Sequence, residues 1–161
     1  RMSPTSRLSL ITGPLFTAWI RSLMLCAFVI PFGIALGARF TGGLLGVLAL
    51  VVASLGISTI SLGWGLGLAY RFRDMRGAAI MQLTLFLTLF LSSAQTPLNI
   101  MTGWLHTVAR YNPATNILRL SRQGFLGDVT WDGVWGGLVA LVGLSVLTLW
   151  FARCGLDLLD R

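Results

Sequence analysis

The sequence predicts an all-α integral membrane protein with four transmembrane helices and a short re-entrant or interfacial helical hairpin before the last one. Three observations lead there. Apolar residues fill 55% of the 161 positions and only 11% are charged, with a mean hydropathy of +0.82. A soluble domain carries about 25% charged residues, so this chain has too few to cover a wetted surface. Four apolar runs approach the roughly 20 residues needed to cross a hydrocarbon core. Between the third and fourth runs lies a segment that mixes apolar residues with chain breakers.

The first run, Trp19 to Leu36, contains Pro31, which a membrane helix tolerates if neighbours satisfy the freed carbonyl. Arg21 falls within a turn of that predicted start, where its stem can snorkel to the headgroups. The second run, Leu44 to Tyr70, is long enough to span with some tilt. The third extends from Ala78 to about Ala94 and the fourth from Val134 to Ala152. Glycines recur four apart at Gly33 and Gly37, Gly42 and Gly46, Gly63 and Gly67, and Gly133 and Gly137. That spacing puts small residues on one stripe, where a partner helix backbone can close in. The cluster around Trp64 makes Gly63 and Gly67 the strongest of these pairs.

The stretch from Ser92 to Asp128 is broken by Pro97, Gly103, Pro113, Gly124 and Gly127. Two short helices fit it, about Ile100–Arg110 and Ala114–Gly124, the second opened by Asn112 as a cap and Pro113 in its first turn. Neither can span. Trp104, Leu105, Val108, Ile117, Leu118 and Leu120 would not be left in water, so a hairpin at the outer face is the economical reading. Trp104, Tyr111 and Trp131 then belong to an interfacial aromatic belt.

Four spans put both termini on one side. That side carries Arg1, Arg7, Arg21, Arg71, Arg73, Arg76, Arg153 and Arg161; the other carries Arg39, Arg110, Arg119 and Arg122. The excess marks the cytoplasmic face, which places the termini and the Arg71–Gly77 loop inside. The net charge of +7 does not indicate nucleic acid, because the arginines are scattered singly between apolar runs. Anionic lipid headgroups are the better counter-charge. Every basic residue is Arg and every acidic one Asp, a bias better explained by codon usage in a GC-rich genome than by chemistry.

No catalytic constellation emerges. His106 is the sole histidine, and Cys26 and Cys154 each lack a second ligand at metal spacing. The five aspartates lie in loops or at helix ends, and the span centres hold no ionisable group of the kind a proton relay would bury. Ser54, Ser58, Thr59, Ser61, Thr84, Thr88, Ser92 and Ser93 are expected to bond a carbonyl one turn back or a neighbouring helix. No phosphate-binding glycine loop is present, since Gly63–Gly67 lies mid-span without a lysine. No catalytic, cofactor or metal residue is therefore assigned, and any ATP must be bound by another subunit.

The order of features resembles the C-terminal part of ABC type-2 transporter permeases, which export drugs, lipids or polysaccharides. The resemblance is carried by Phe90-Leu-Ser-Ser-Ala-Gln-Thr-Pro97, by Gly103-Trp-Leu-His-Thr-Val-Ala-Arg-Tyr-Asn-Pro113 and by Ile117-Leu-Arg-Leu-Ser-Arg122. Ser3-Pro-Thr-Ser-Arg7 is similar to the segment before the third of the family's six spans, and Arg73-Asp-Met-Arg-Gly-Ala-Ala79 to its loop between the fourth and fifth. The resemblance implies a single permease domain over residues 1–161, a fragment lacking the first two spans. It implies a second permease copy, as homo- or heterodimer, and an ATP-binding cassette ATPase subunit as partners. Coupling to that ATPase would involve Ser3, Pro4, Arg7, Arg73, Asp74 and Arg76. Pro97, Gly103, Trp104, Asn112, Pro113 and Arg119 would build the outer hairpin. The implied setting is the plasma (inner) membrane of a bacterium, multi-pass with cytoplasmic termini. A hydrophobic or amphipathic cargo fits spans without charge. Two other readings stand beside it: a non-catalytic membrane assembly or channel subunit, supported by the glycine pairs, and a membrane-embedded lipid-metabolism enzyme using His106, Asn112 and Asp128.

Overall fold

A computed structural model describes residues 9–37, 42–72, 75–92, 102–126 and 129–157, and every regular element among them is an α-helix. These are α1 (Ser9–Ala35), α2 (Gly43–Phe72), α3 (Met75–Phe90), α4 (Trp104–Tyr111), α5 (Pro113–Leu126) and α6 (Trp131–Asp157). Three of them, α1, α2 and α6, are long and apolar enough to cross a membrane. Large side chains such as Phe16, Met24, Leu25, Phe28 and Phe32 on α1, and Val142, Val146 and Trp150 on α6, stand exposed. An apolar surface of that extent belongs against lipid or another protein chain.

Helix α2 is the central element, packed against α1, α3, α5 and α6. Its contact with α1 is an antiparallel polar ladder. The Tyr70 hydroxyl donates to the Leu10 carbonyl at 3.1 Å, the Trp19 indole N–H to Thr59 Oγ1 at 2.9 Å, and the Ser22 and Ser54 hydroxyls meet at 2.6 Å. The lowest rung explains why α1 begins ten residues before the expected Trp19. Pro14 lies inside the helix and has no N–H to give the carbonyl four residues back, which is that of Leu10. Tyr70 supplies the missing donor, so the helix runs on through the proline.

Against α6, α2 runs parallel in constant register. A methyl group added at Gly56 would meet Leu141, one at Gly63 would meet Thr148, and one at Gly67 would meet Phe151. At Gly63 that methyl would lie 2.8 Å from Thr148 Oγ1 and 2.9 Å from the Thr148 backbone carbon. The two backbones are close enough that only hydrogen fits between them. The expected use of Gly63 and Gly67 in helix packing is thus seen directly, and Gly56 one heptad earlier extends the stripe. Near the far end Trp64 stacks on Phe151 with centroids 5.1 Å apart, and the Arg71 guanidinium lies 5.7 Å over the same ring.

The third predicted span takes a different form. Helix α3 has 16 residues, about 24 Å at 1.5 Å per residue, and gives way at Leu91–Ser92 to a turn. It reaches roughly half the length of its antiparallel partner α2, which has 30 residues. The remainder of the expected run, to Ala94, lies outside the described residues. The two short helices expected next are present as α4 and α5, with the Asn112–Pro113 junction between them. Helix α5 runs antiparallel to α6. Gln123 lies against Gly133, near the start of α6, whereas Asn116 and Leu120 lie against Gly137. Ile117 and Leu120 form a buried cluster with Ala53 of α2 and Leu141 of α6. Both of those residues lie ten positions from the helix start, about 15 Å along the axis.

Candidate functional site

Two features are candidates for function: a capped corner where α3, α4 and α5 meet, and an open groove along α2 that carries several hydroxyls.

The corner is built from chain ends that would otherwise leave carbonyls and amides without partners. Asn112 closes α4 with its own N–H, which donates to the Val108 carbonyl at 3.0 Å. Its Oδ1 then accepts the Ala114 N–H at 3.0 Å, capping α5 with Pro113 in the first helical position. Its Nδ2 donates to the Thr88 carbonyl at 3.0 Å, one of the last-turn acceptors of α3. The neighbouring Leu89 carbonyl receives both the Ser92 backbone N–H, at 3.2 Å, and the Ser92 hydroxyl, at 2.7 Å. Ser92 and Thr115 are buried here. One asparagine thus joins three helices and satisfies the Thr88 acceptor in the last turn of α3.

The groove, about 710 Å³, lies between α1 and α2 and is closed at its sides by Met81 of α3 and Ser121 of α5. Thr17, Ser22, Ser54, Ser58 and Ser61 line it together with Arg21. The α2 hydroxyls follow from spacing, because positions 54, 58 and 61 fall on one helix face. Several bond as the sequence led one to expect, one turn back: Thr17 to the Gly13 carbonyl, Ser58 to Ser54, Thr59 to Leu55, Thr84 to Ile80 and Thr88 to Thr84. A hydroxyl so bonded is comfortable in an apolar helix, yet keeps an oxygen lone pair for a guest.

Arg21 is the correction to the sequence reading. Because α1 starts at Ser9, Arg21 lies twelve residues in, at the helix middle rather than its mouth. That is about 18 Å from the helix start. The ladder with α2 brackets it between the Trp19–Thr59 and Ser22–Ser54 rungs, level with the middle of α2 as well. The expectation that span centres hold no ionisable group therefore fails at this one place. A charged residue at the centre of a membrane helix costs about 2.5–3.5 kcal/mol on insertion scales and by default marks function.

Other predicted residues separate into those the structure positions and those it does not describe. Gly103 precedes α4 with φ 70, a left-handed conformation that suits glycine. Trp104 and Tyr111 on α4, Arg119 on α5 and Trp131 on α6 are exposed. Arg76 opens α3 on the exposed surface. Ser3, Pro4, Arg7, Arg73, Asp74 and Pro97 lie outside the described residues, as does Asp128. Of the residues named in the enzyme reading, Asn112 spends its side chain on capping. Among the described residues no three His, Cys, Asp or Glu side chains gather as a metal site.

Comparison with known protein families decides the class. The family described as ABC-2 family transporter protein matches residues 1–153. The chain belongs to that family. The match covers α1 through α5 and most of α6. No curated protein and no solved structure gives a significant match. As an ABC-2 permease, the chain is an integral membrane transport subunit, in agreement with its apolar helices.

Proposed function

We propose that this ABC-2 permease is the membrane-spanning subunit of an ATP-driven exporter in a bacterial plasma membrane, moving a hydrophobic or amphipathic cargo outward. The family match over residues 1–153 carries the reading. In it the permease pairs with a second permease and with ATP-binding cassette subunits that hydrolyse the nucleotide. The Arg-rich side faces the cytoplasm, so the α2–α3 junction and the segment before α1 meet the ATPase, with Ser3, Pro4, Arg7, Arg73, Asp74 and Arg76 as contacts. Parallel, glycine-tight packing of α2 on α6 supports transmission of a push at that junction, because two helices locked backbone to backbone move together.

The Pro97–Arg122 region serves as the outer closure of the path. The antiparallel course of α5 along the first part of α6, with its Pro113 end the deeper, supports a re-entrant element rather than one lying flat on the surface. Non-spanning backbone at membrane depth has to be buried in protein or line a wet cavity, and the satisfied corner at Asn112 meets that condition. Reversal of Arg73 and Arg76 to Glu tests the coupling assignment. The expected result is loss of co-purification with the ATP-binding subunit while membrane insertion and orientation persist. Unchanged co-purification removes this junction from the interface.

A further inference from the structure

We propose that the Arg21 groove is a binding site for an anionic amphiphile, its phosphate or carboxylate head on Arg21 and its chain leaving between α1 and α2. As a statement of substrate class it rests on the transport reading; as a binding site it stands alone. The described carboxylates, Asp132 and Asp157, both belong to α6, while the helix packed on α1 is α2. Among the described residues that line its groove, Arg21 has hydroxyl and apolar side chains as neighbours and no carboxylate. Arg21 is exposed at the middle of an apolar helix, and a guanidinium there is stabilised by an oxyanion that accepts its planar fork of donors. The Ser58 hydroxyl spends its proton on the Ser54 carbonyl, but the Ser22–Ser54 pair uses one proton between its two hydroxyls and keeps the other to donate to a headgroup oxygen.

The walls indicate an attached tail. Leu25 and Ile57 border the groove and are 64% and 42% exposed, so the groove is continuous with exposed apolar surface. A volume of about 710 Å³ is within the usual range of small-molecule sites, about 300–1,000 Å³. A free inorganic anion would leave these apolar walls unused.

Binding of radiolabelled dodecyl phosphate to the full chain in phosphatidylcholine nanodiscs, without ATP or an ATPase, tests the site. Saturable binding is expected, and Arg21→Gln should weaken it about tenfold or more, the size of one lost charge-assisted hydrogen bond. Arg21→Lys should retain most of the affinity and Arg153→Gln all of it. Ser58→Phe, which fills the groove and leaves Arg21 in place, should abolish binding, so the result does not depend on one variant folding. Equal binding by wild type and Arg21→Gln overturns the proposal, as does equal competition by dodecyltrimethylammonium. Competition by inorganic phosphate at matched concentration would make this a free-anion site and also overturn it. Because ATP is absent, failed export with intact binding counts against the transport reading alone.

Discussion

Adding one methyl group at Gly63 should separate α2 from α6, and its effect follows from the geometry. In Gly63→Ala the new Cβ would stand 2.9 Å from the Thr148 backbone carbon, against the 3.4 Å at which ordinary contact begins. The backbone of α6 must therefore retreat by about 0.5 Å, and a backbone carbon, unlike the tip of a flexible side chain, takes its helix with it. Overpacking of this kind costs about 1–3 kcal/mol, partly masked because alanine favours a helix over glycine by about 1 kcal/mol. Gly143→Ala removes the mask. It lies in α6 with nothing within 4 Å of the added methyl, so it collects the propensity gain alone. Equilibrium unfolding of both variants in mixed micelles should show Gly63→Ala less stable than Gly143→Ala by about 1–3 kcal/mol. Equal stabilities would refute the claim that α2 and α6 meet backbone to backbone at Gly63.

Three further outcomes follow from the hydrogen bonds and the charge pattern. Tyr70→Phe removes the donor that covers the Leu10 carbonyl, which should cost about 1 kcal/mol and speed amide exchange in the first turns of α1 while leaving α6 unchanged. Asn112→Ala loses the α5 cap and the bond to Thr88, for about 1–2 kcal/mol; Asn112→Asp keeps the cap and should lose less, read as exchange at the Ala114 amide. In a background lacking Cys26 and Cys154, a cysteine at Thr107 should react with an impermeant reagent added outside sealed cells and one at Arg76 should not. The reverse pattern would invert the orientation.

The long helices were legible because hydropathy over 20 residues is a strong signal, and α2 and α6 lie close to where their apolar runs stand. The hairpin helices were legible from Asn112 and Pro113, whose cap and first-turn roles are local chemistry. What could not be read was whatever depends on a distant residue. Pro14 argues against a helix until Tyr70, sixty positions from Leu10, supplies the donor the proline lacks. The early start of α1 then moves Arg21 from the helix mouth to its middle. The shortness of α3 was hidden for the same reason, since a last-turn carbonyl is satisfied by Asn112, twenty-four positions away from Thr88. The hydroxyls at 54, 58 and 61 share a visible helix face, but their groove exists only once α1, α3 and α5 close around it.

Reconstituted transport tests the central claim most directly: the permease and its ATP-binding subunit in proteoliposomes, with a fluorescent-tailed phosphatidic acid followed across the bilayer. The account predicts movement that needs hydrolysable ATP and both subunits, and that drops sharply in Arg21→Gln. Lipid movement at the same rate without ATP, or without the permease, would contradict it.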